Sequence, residues 1–158
     1  MQKITPFLWF DDNAEEAVNF YTTVFKESEI KSITRYDEAA AEATGRSAGS
    51  IMTASFILNG QEFVALNAGP HFKFTEAISF VINCKTQEEV DYYWEKLTEG
   101  GGQPGNCGWL KDRFGLSWQV VPTLLSEIYA GKDKGKAKRV MSAMLKMHKP
   151  DIKQLQEA

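Results

Sequence analysis

Histidine is almost missing from this chain. His71 and His148 are the two in 158 residues. Imidazole is the commonest metal ligand and the side chain that ordinarily titrates near neutrality, so little is available for a histidine-built centre. Cysteine is equally scarce. Cys84 and Cys107 have no motif spacing, which points to reduced thiols rather than a disulfide scaffold. No apolar run approaches the ~20 residues of a membrane span. An excess of positive charge is absent too: 18 Lys and Arg against 21 Asp and Glu give a net charge of -3, no field for nucleic acid. The stretch Met1-Gln2-Lys3-Ile4-Thr5-Pro6 lacks the apolar core of a secretory signal. Free thiols without a signal lead to the expectation of a cytoplasmic protein.

What is present is an ordinary globular balance, 43% hydrophobic and 25% charged, in a length that suits one domain or two very small fused modules. The chain also repeats itself. The apolar run Ile4 to Phe10 leads into Asn13-Ala14-Glu15-Glu16-Ala17-Val18-Asn19-Phe20-Tyr21. Ala77 to Asn83 leads into Thr86-Gln87-Glu88-Glu89-Val90-Asp91-Tyr92-Tyr93-Trp94. Glu15-Glu16 falls on Glu88-Glu89, and Phe20-Tyr21 on Tyr93-Trp94. A strand, an acidic helix start and an aromatic pair recur in one order, the signature of internal duplication.

The local signals fill in each copy. Thr5 to Phe10 predicts a strand, with Pro6 near its start or on an edge. Asp11, Asp12 and Asn13 are N-cap types, and Glu15 and Glu16 lie where the helix dipole favours anions; that helix is expected to run to about Phe25. Glu29 to Tyr36 alternates like a strand, and the Ala-, Gly- and Ser-rich Asp37 to Ser50 is expected to be a mobile surface loop. Ile51 to Leu58, Asn59-Gly60 and Gln61 to Asn67 form the clearest signal, a hairpin with a type I′ turn. In the second copy, a strand over Ala77 to Asn83 precedes a helix capped by Thr86 and stopped by Gly100-Gly101-Gly102. A weak strand in Gln103 to Asn106, strands over Cys107 to Lys111 and Leu116 to Val121, and a turn at Asp112-Arg113-Phe114-Gly115 complete it. Beyond Pro122 the chain reads as helical: Leu124, Leu125, Ile128 and Tyr129 on a short helix, then Ala137, Val140, Met141, Met144, Leu145 and Met147 on a second, ending near Pro150. Methionine stripes of this kind serve a core or a subunit interface.

Two βαβββ modules followed by helices is an α+β architecture. The expected divisions are a first module over 1–70, a second over 71–122 and a helical tail over 123–158, together one domain. Strand period assigns the faces. Ile78, Phe80 and Ile82 are expected to pack on the helix, leaving Ala77, Ser79 and Val81 on the other side. By the repeat, Phe7 and Trp9 take the helix face, and Leu8 and Phe10 the opposite one. Phe63, Ala65 and Asn67 share a face, as do Ser117, Gln119 and Val121. Leu8, Phe10, Phe63, Asn67, Ser79 and Gln119 are therefore the candidate ligand-binding residues, apolar with a few polar points, as in most small-molecule sites. The same set is equally consistent with a filled interior.

The element order and the stretches Ile4-Thr5-Pro6-Phe7-Leu8-Trp9-Phe10, Phe63-Val64-Ala65-Leu66-Asn67, Gly108-Trp109-Leu110 and Asp112-Arg113-Phe114-Gly115-Leu116-Ser117-Trp118-Gln119-Val120 resemble the vicinal oxygen chelate superfamily, which holds glyoxalase I, extradiol dioxygenases and bleomycin-resistance proteins. Within it they are similar to the PhnB-like family, often labelled 3-demethylubiquinone-9 3-methyltransferase. The resemblance spans about Ile4 to Pro122. It implies tandem curved mixed sheets of the glyoxalase/bleomycin resistance/dioxygenase fold and a homodimer. It also implies a divalent metal held by His, Glu or Gln from four strands. Here those positions fall near Pro6, Ala77 to Ser79, Phe63 to Asn67 and Gln119, and they offer only the amides Asn67 and Gln119. Amides bring no charge to a transition metal, so the site is expected to be metal-free and without a cofactor.

The expected function is binding of a small apolar or aromatic molecule in a pocket between modules of a dimer, with no nucleic acid or membrane partner. Whether it is an enzyme stays open. A metal-dependent lyase or dioxygenase is one alternative, the methyltransferase of the label a second, and an inert structural dimer a third. Gly100-Gly101-Gly102-Gln103-Pro104-Gly105 follows a helix instead of joining strand to helix, so it reads as a helix stop and not as a cofactor turn.

Overall fold

Asn59-Gly60 asks both residues of a two-residue turn to take positive φ, and both do, Asn59 at 46° and Gly60 at 81°. The hairpin it closes anchors the first of two compact units, residues 1–73 and 74–158, in a computed structural model that describes residues 2–158.

The first unit contains β1 (Phe7–Phe10), α1 (Ala14–Val24), β2 (Ser28–Arg35), α2 (Glu38–Thr44), β3 (Ile51–Leu58) and β4 (Gln61–Asn67). Its sheet has the order β1-β4-β3-β2, with β1 parallel to β4 and the remaining pairs antiparallel. The second unit contains β5 (Ser79–Cys84), α3 (Gln87–Thr98), β6 (Gln103–Pro104), β7 (Trp109–Lys111) and β8 (Ser117–Pro122). Its sheet has the order β5-β8-β7-β6, again with one parallel pair, β5 and β8. The duplication read from the sequence is thus a duplication of topology. The second unit continues into α4 (Leu124–Ala130), α5 (Lys134–Met144) and α6 (Ile152–Glu157).

α1 and α3 each cover one face of their own sheet. Ala14, Ala17, Val18, Tyr21 and Val24 form the buried stripe of α1, and Tyr21 stacks on Phe56 (centroids 6.2 Å apart), which stacks on Phe63 (5.5 Å). Burying an aromatic side chain of this size stabilises the fold by ~1.5–3 kcal/mol. The corresponding stripe of α3 is Val90, Trp94 and Leu97. Thr86 starts α3 with a reciprocal capping box: its hydroxyl accepts from Glu89 N, while Glu89 Oε2 accepts from Thr86 N. Gly100 and Gly101, both at positive φ, stop the helix.

Several local expectations change. Asp37 to Ser50 is not wholly irregular. Asp37 accepts from Ala40 N at 2.7 Å and starts α2, which Gly45 ends in the left-handed region. The alanine-rich segment hides that helix because only Ala41 within it is buried, so it has no apolar stripe. β2 carries a register shift between Ile30 and Ser32 that pairs Ile30 with Phe56 and Ile33 with Ala54, bringing two residues three apart onto one face. Ile78 lies before β5 and is 68% exposed, so it does not pack on α3. The second tail helix ends at Met144, not near Pro150, because the chain turns there and restarts as α6, which Asp151 caps by accepting from Gln154 N. The tail encloses its own core of Leu125, Val140, Met144 and Leu155, while Met141 and Leu145 stay exposed.

The turn between β7 and β8 is organised by a buried carboxylate. Asp112 Oδ1 accepts from Phe114 N (2.9 Å) and Leu116 N (3.1 Å), and Oδ2 accepts from Trp118 Nε1 (2.9 Å). Removing it strands a buried indole N–H. Asp112→Ala is expected to lower unfolding free energy by about 3 kcal/mol, against about 1 kcal/mol for Thr86→Ala, whose cap is exposed to solvent. Urea unfolding with an unchanged m value checks both; equal losses would contradict this account of the turn.

Candidate functional site

Which face a strand residue takes depends on the length of the connection to the helix. Residues 11–13 join β1 to α1, but only residues 85 and 86 join β5 to α3. Ala17 and Tyr21 occupy the places of Val90 and Trp94 in the buried helix stripes. The strands before them are one residue out of step, so Leu8 and Phe10 match Ile82 and Cys84. A slip of one residue turns every side chain over. The facing expected from the repeat is therefore reversed in β1: Leu8 and Phe10 are buried and Phe7 is exposed. Phe63, in the stack below Tyr21, shares the helix-covered face with them.

Asn67 lies on that face as well, and its polar atoms are occupied. Its Oδ1 accepts from Ala14 N at 2.8 Å, and its Nδ2 donates to Ile51 O at 3.2 Å. Its backbone carbonyl accepts from Tyr36 Oη at 2.6 Å. Asn13, the N-cap residue by position, makes no side-chain cap bond. Asn67 supplies the cap from the end of β4 instead, 53 residues away. No local pattern in the sequence signals such a cap.

Ser79 and Gln119 lie on the open face of the second sheet and meet there, Gln119 Nε2 donating to Ser79 Oγ at 2.9 Å. Strand register places Ser79, Ser117, Lys111 and Gln103 in one row across the sheet, and Val81, Gln119 and Trp109 in the next. Of the six sequence-predicted site residues, the structure brings Ser79 and Gln119 together on an open surface and folds Leu8, Phe10, Phe63 and Asn67 into the core of the first unit. The open face of the first sheet instead presents Phe7, Trp9, Val64 and Leu66. Trp9 is held there by its indole donating to Gly69 O (2.8 Å) and by an edge contact with Phe72.

A divalent ion needs several imidazole, carboxylate or thiolate donors on one wall. Ser79 and Gln119 are neutral, and their open-face neighbours include Val81 and Val121. Both histidines are exposed, and His148 Nδ1 lies 2.9 Å from Gly105 O. No group of three His, Cys, Asp or Glu gathers among the described residues. The residues present do not fit a transition metal. The buried thiol of Cys84 is no substitute, since burial and then the charge of Glu89 push its pKa up to about 12.

Two cavities accompany these surfaces. One, of about 200 Å³, opens on the second sheet among Glu76, Gln103, Pro104, Trp109, Lys111 and Ser117. Lys111 pairs with Glu76, and the hydrogen bond from Lys111 is the main reason the Glu76 carboxyl is held below its usual range. Ser117 is buried, and its Oγ has no hydrogen-bond partner. The other, of about 260 Å³ and more polar, lies in the first unit among Asp12, Tyr36, Arg46, Ser47, Ser50 and Asn67. Sequence reasoning did not assemble the first group. The shared face of Ser117 and Gln119 was its available signal, since Glu76 and Lys111 meet only through the tertiary fold.

This topology and its open faces define a class, the glyoxalase/bleomycin resistance/dioxygenase fold of the vicinal oxygen chelate superfamily. Residues 2–121 match the 3-demethylubiquinone-9 3-methyltransferase family, and the chain belongs to that family, which is PhnB-like. A Bacillus cereus structure bearing the names 3-demethylubiquinone-9 3-methyltransferase and PhnB protein is 42% identical. It covers 77% of this chain and 100% of its own, with a TM-score of 0.67. Protein PA1353 of Pseudomonas aeruginosa shares the fold at 20% identity, covering 77% of this chain and 98% of its own (TM-score 0.61). So does the fosfomycin resistance protein FosX of Mesorhizobium loti at 13% identity, covering 83% and 100% (TM-score 0.55). No curated protein matches.

Asn67→Ala removes a helix cap and a second buried bond, and is expected to cost about 2 kcal/mol. Ser117→Ala removes an unpaired buried hydroxyl, and is expected to be neutral or to stabilise by up to about 1 kcal/mol. Chemical denaturation of both variants measures this; destabilisation by Ser117→Ala would mean that its hydroxyl is already satisfied. Iodoacetamide at pH 8 is expected to label native protein at Cys107 and spare Cys84, with peptide mass mapping as the readout.

Proposed function

We propose that this protein binds a small apolar or aromatic molecule without the help of a metal, with a homodimer sheltering the open sheet faces. One observation carries the reading. An uncovered sheet face presents apolar and aromatic side chains with a few neutral polar groups, Ser79 and Gln119 among them. Such a surface favours a greasy ligand oriented by a few hydrogen bonds. Exposed Phe7, Ile78 and Val81 add apolar area that a second copy would cover. Sedimentation equilibrium tests the dimer, and a monomer at micromolar concentration counts against it.

The family's methyltransferase name supplies a second reading. A methyl donor of the S-adenosylmethionine type ordinarily sits where a strand runs through a glycine turn into a helix. Gly100-Gly101-Gly102 follows α3 and ends it. Calorimetric titration with S-adenosylmethionine separates the readings: no heat is expected, and saturable 1:1 binding would favour the methyltransferase.

A thermal-shift screen with quinones, aromatic acids and hydrophobic antibiotics tests binding directly. A ligand at 100 times its Kd adds about 2.7 kcal/mol of stability, worth roughly 2–4 °C per kcal/mol in a domain of this size. Gln119→Glu adds one carboxylate to a face that lacks the other donors, so it is expected to leave zinc affinity weaker than micromolar in calorimetry. Tight zinc binding by that variant would overturn the metal-independent reading.

A further inference from the structure

Ser117 is the one buried side-chain polar atom of the described residues without a partner, and it forms part of the wall of a cavity. Its Oγ is itself out of reach of water, so the groups that face the opening are those around it. Around it the cavity has two ends. Gln103, Lys111 and Ser117 form one row on the open face of the second sheet, with Glu76 paired to Lys111. Trp109 lies on the same face two residues along β7, so the rows are about 7 Å apart at ~3.4 Å per residue. One end therefore holds the Lys111–Glu76 ion pair and the other the Trp109 ring.

Size narrows the ligand. An apolar cavity of ~150 Å³ takes benzene. At about 200 Å³ this cavity has room for one ring and a small substituent, and not for a quinone with a prenyl tail inside its walls. A lysine ammonium has three donors, and Glu76 occupies only part of that capacity. The Glu76 side chain is 60% exposed against 37% for Lys111. Exposed pairs of this kind are weak and exchangeable, so the ammonium can turn to an incoming anion while Glu76 returns to water.

We propose that this cavity is a binding site for a single-ring aromatic carboxylate, its ring against Trp109 and its carboxylate accepting from Lys111 Nζ. This rests on the small-molecule reading above and adds the ligand's charge, size and place. Lys111 sets the preference for an acid, and Trp109 provides the face for stacking.

The test is a titration of the full chain with sodium benzoate and, separately, with neutral benzamide, followed by ¹⁵N NMR at the Trp109 indole and by calorimetry. Saturable benzoate binding that shifts Trp109 and the Lys111 amide is expected, at least tenfold tighter than benzamide. Lys111→Met is expected to weaken benzoate about tenfold and leave benzamide unchanged. Glu76→Gln is expected to tighten benzoate severalfold, by removing a like charge and freeing the ammonium. Equal affinity for the two probes, or benzoate binding unaffected by Lys111→Met, overturns the acid-specific site while the broader small-molecule reading survives. So does failure of both probes to shift Trp109 when another compound raises the melting temperature. Failure of every compound in both experiments overturns the two readings together.

Discussion

A β-strand can offer only every second residue to the helix packed on it, and in both sheets that alternation divides core from surface. In the first unit α1 takes Leu8, Phe10, Ala54, Phe56, Phe63 and Ala65. In the second, Ile82, Cys84, Leu110, Trp118 and Val120 are buried beside Val90, Trp94 and Leu97 of α3. The opposite faces carry what remains: Phe7, Trp9, Val64 and Leu66 on one sheet, and Ser79, Gln119, Trp109 and Lys111 on the other. The solvent-facing side of each sheet is thus the complement of its core.

The polar groups that stay inside are structural. Asn67 caps α1 and Asp112 braces the β7–β8 turn, each by accepting from backbone N–H groups. Buried polar atoms are tolerated because they are paired. Ser117 departs from that rule, and it does so at the wall of a cavity beside a lysine. The face beside it carries neutral hydrogen-bonding groups, aromatic surface and one ion pair.

Much of the architecture was legible. The hairpin at Asn59-Gly60, the capping box begun by Thr86, the glycine stop after α3 and the tandem order of elements are local signals, each set by φ, a cap or an apolar period within a few residues. The helix at Glu38–Thr44 was not legible as a helix, because it buries only Ala41 and presents no stripe. The facing of the candidate residues was legible only in part. Ser79 and Gln119 stand on the open face as their strand period required. Leu8, Phe10, Phe63 and Asn67 do not, because the connection from β1 to α1 is one residue longer than its counterpart. A repeat aligned on its helices is then misaligned on its strands.

The amino-acid sequence by itself determined the duplication, the class of fold and the poverty of metal donors, since these follow from composition, short-range periodicity and turn chemistry. The tertiary structure alone decided which side of each strand is sealed, that Asn67 reaches across 53 residues to cap a helix, and that Glu76, Lys111 and an unpaired Ser117 share one cavity. The physical reason is that facing and register are set by how whole elements dock. A single residue in a connection reverses a face without leaving a mark on the local pattern.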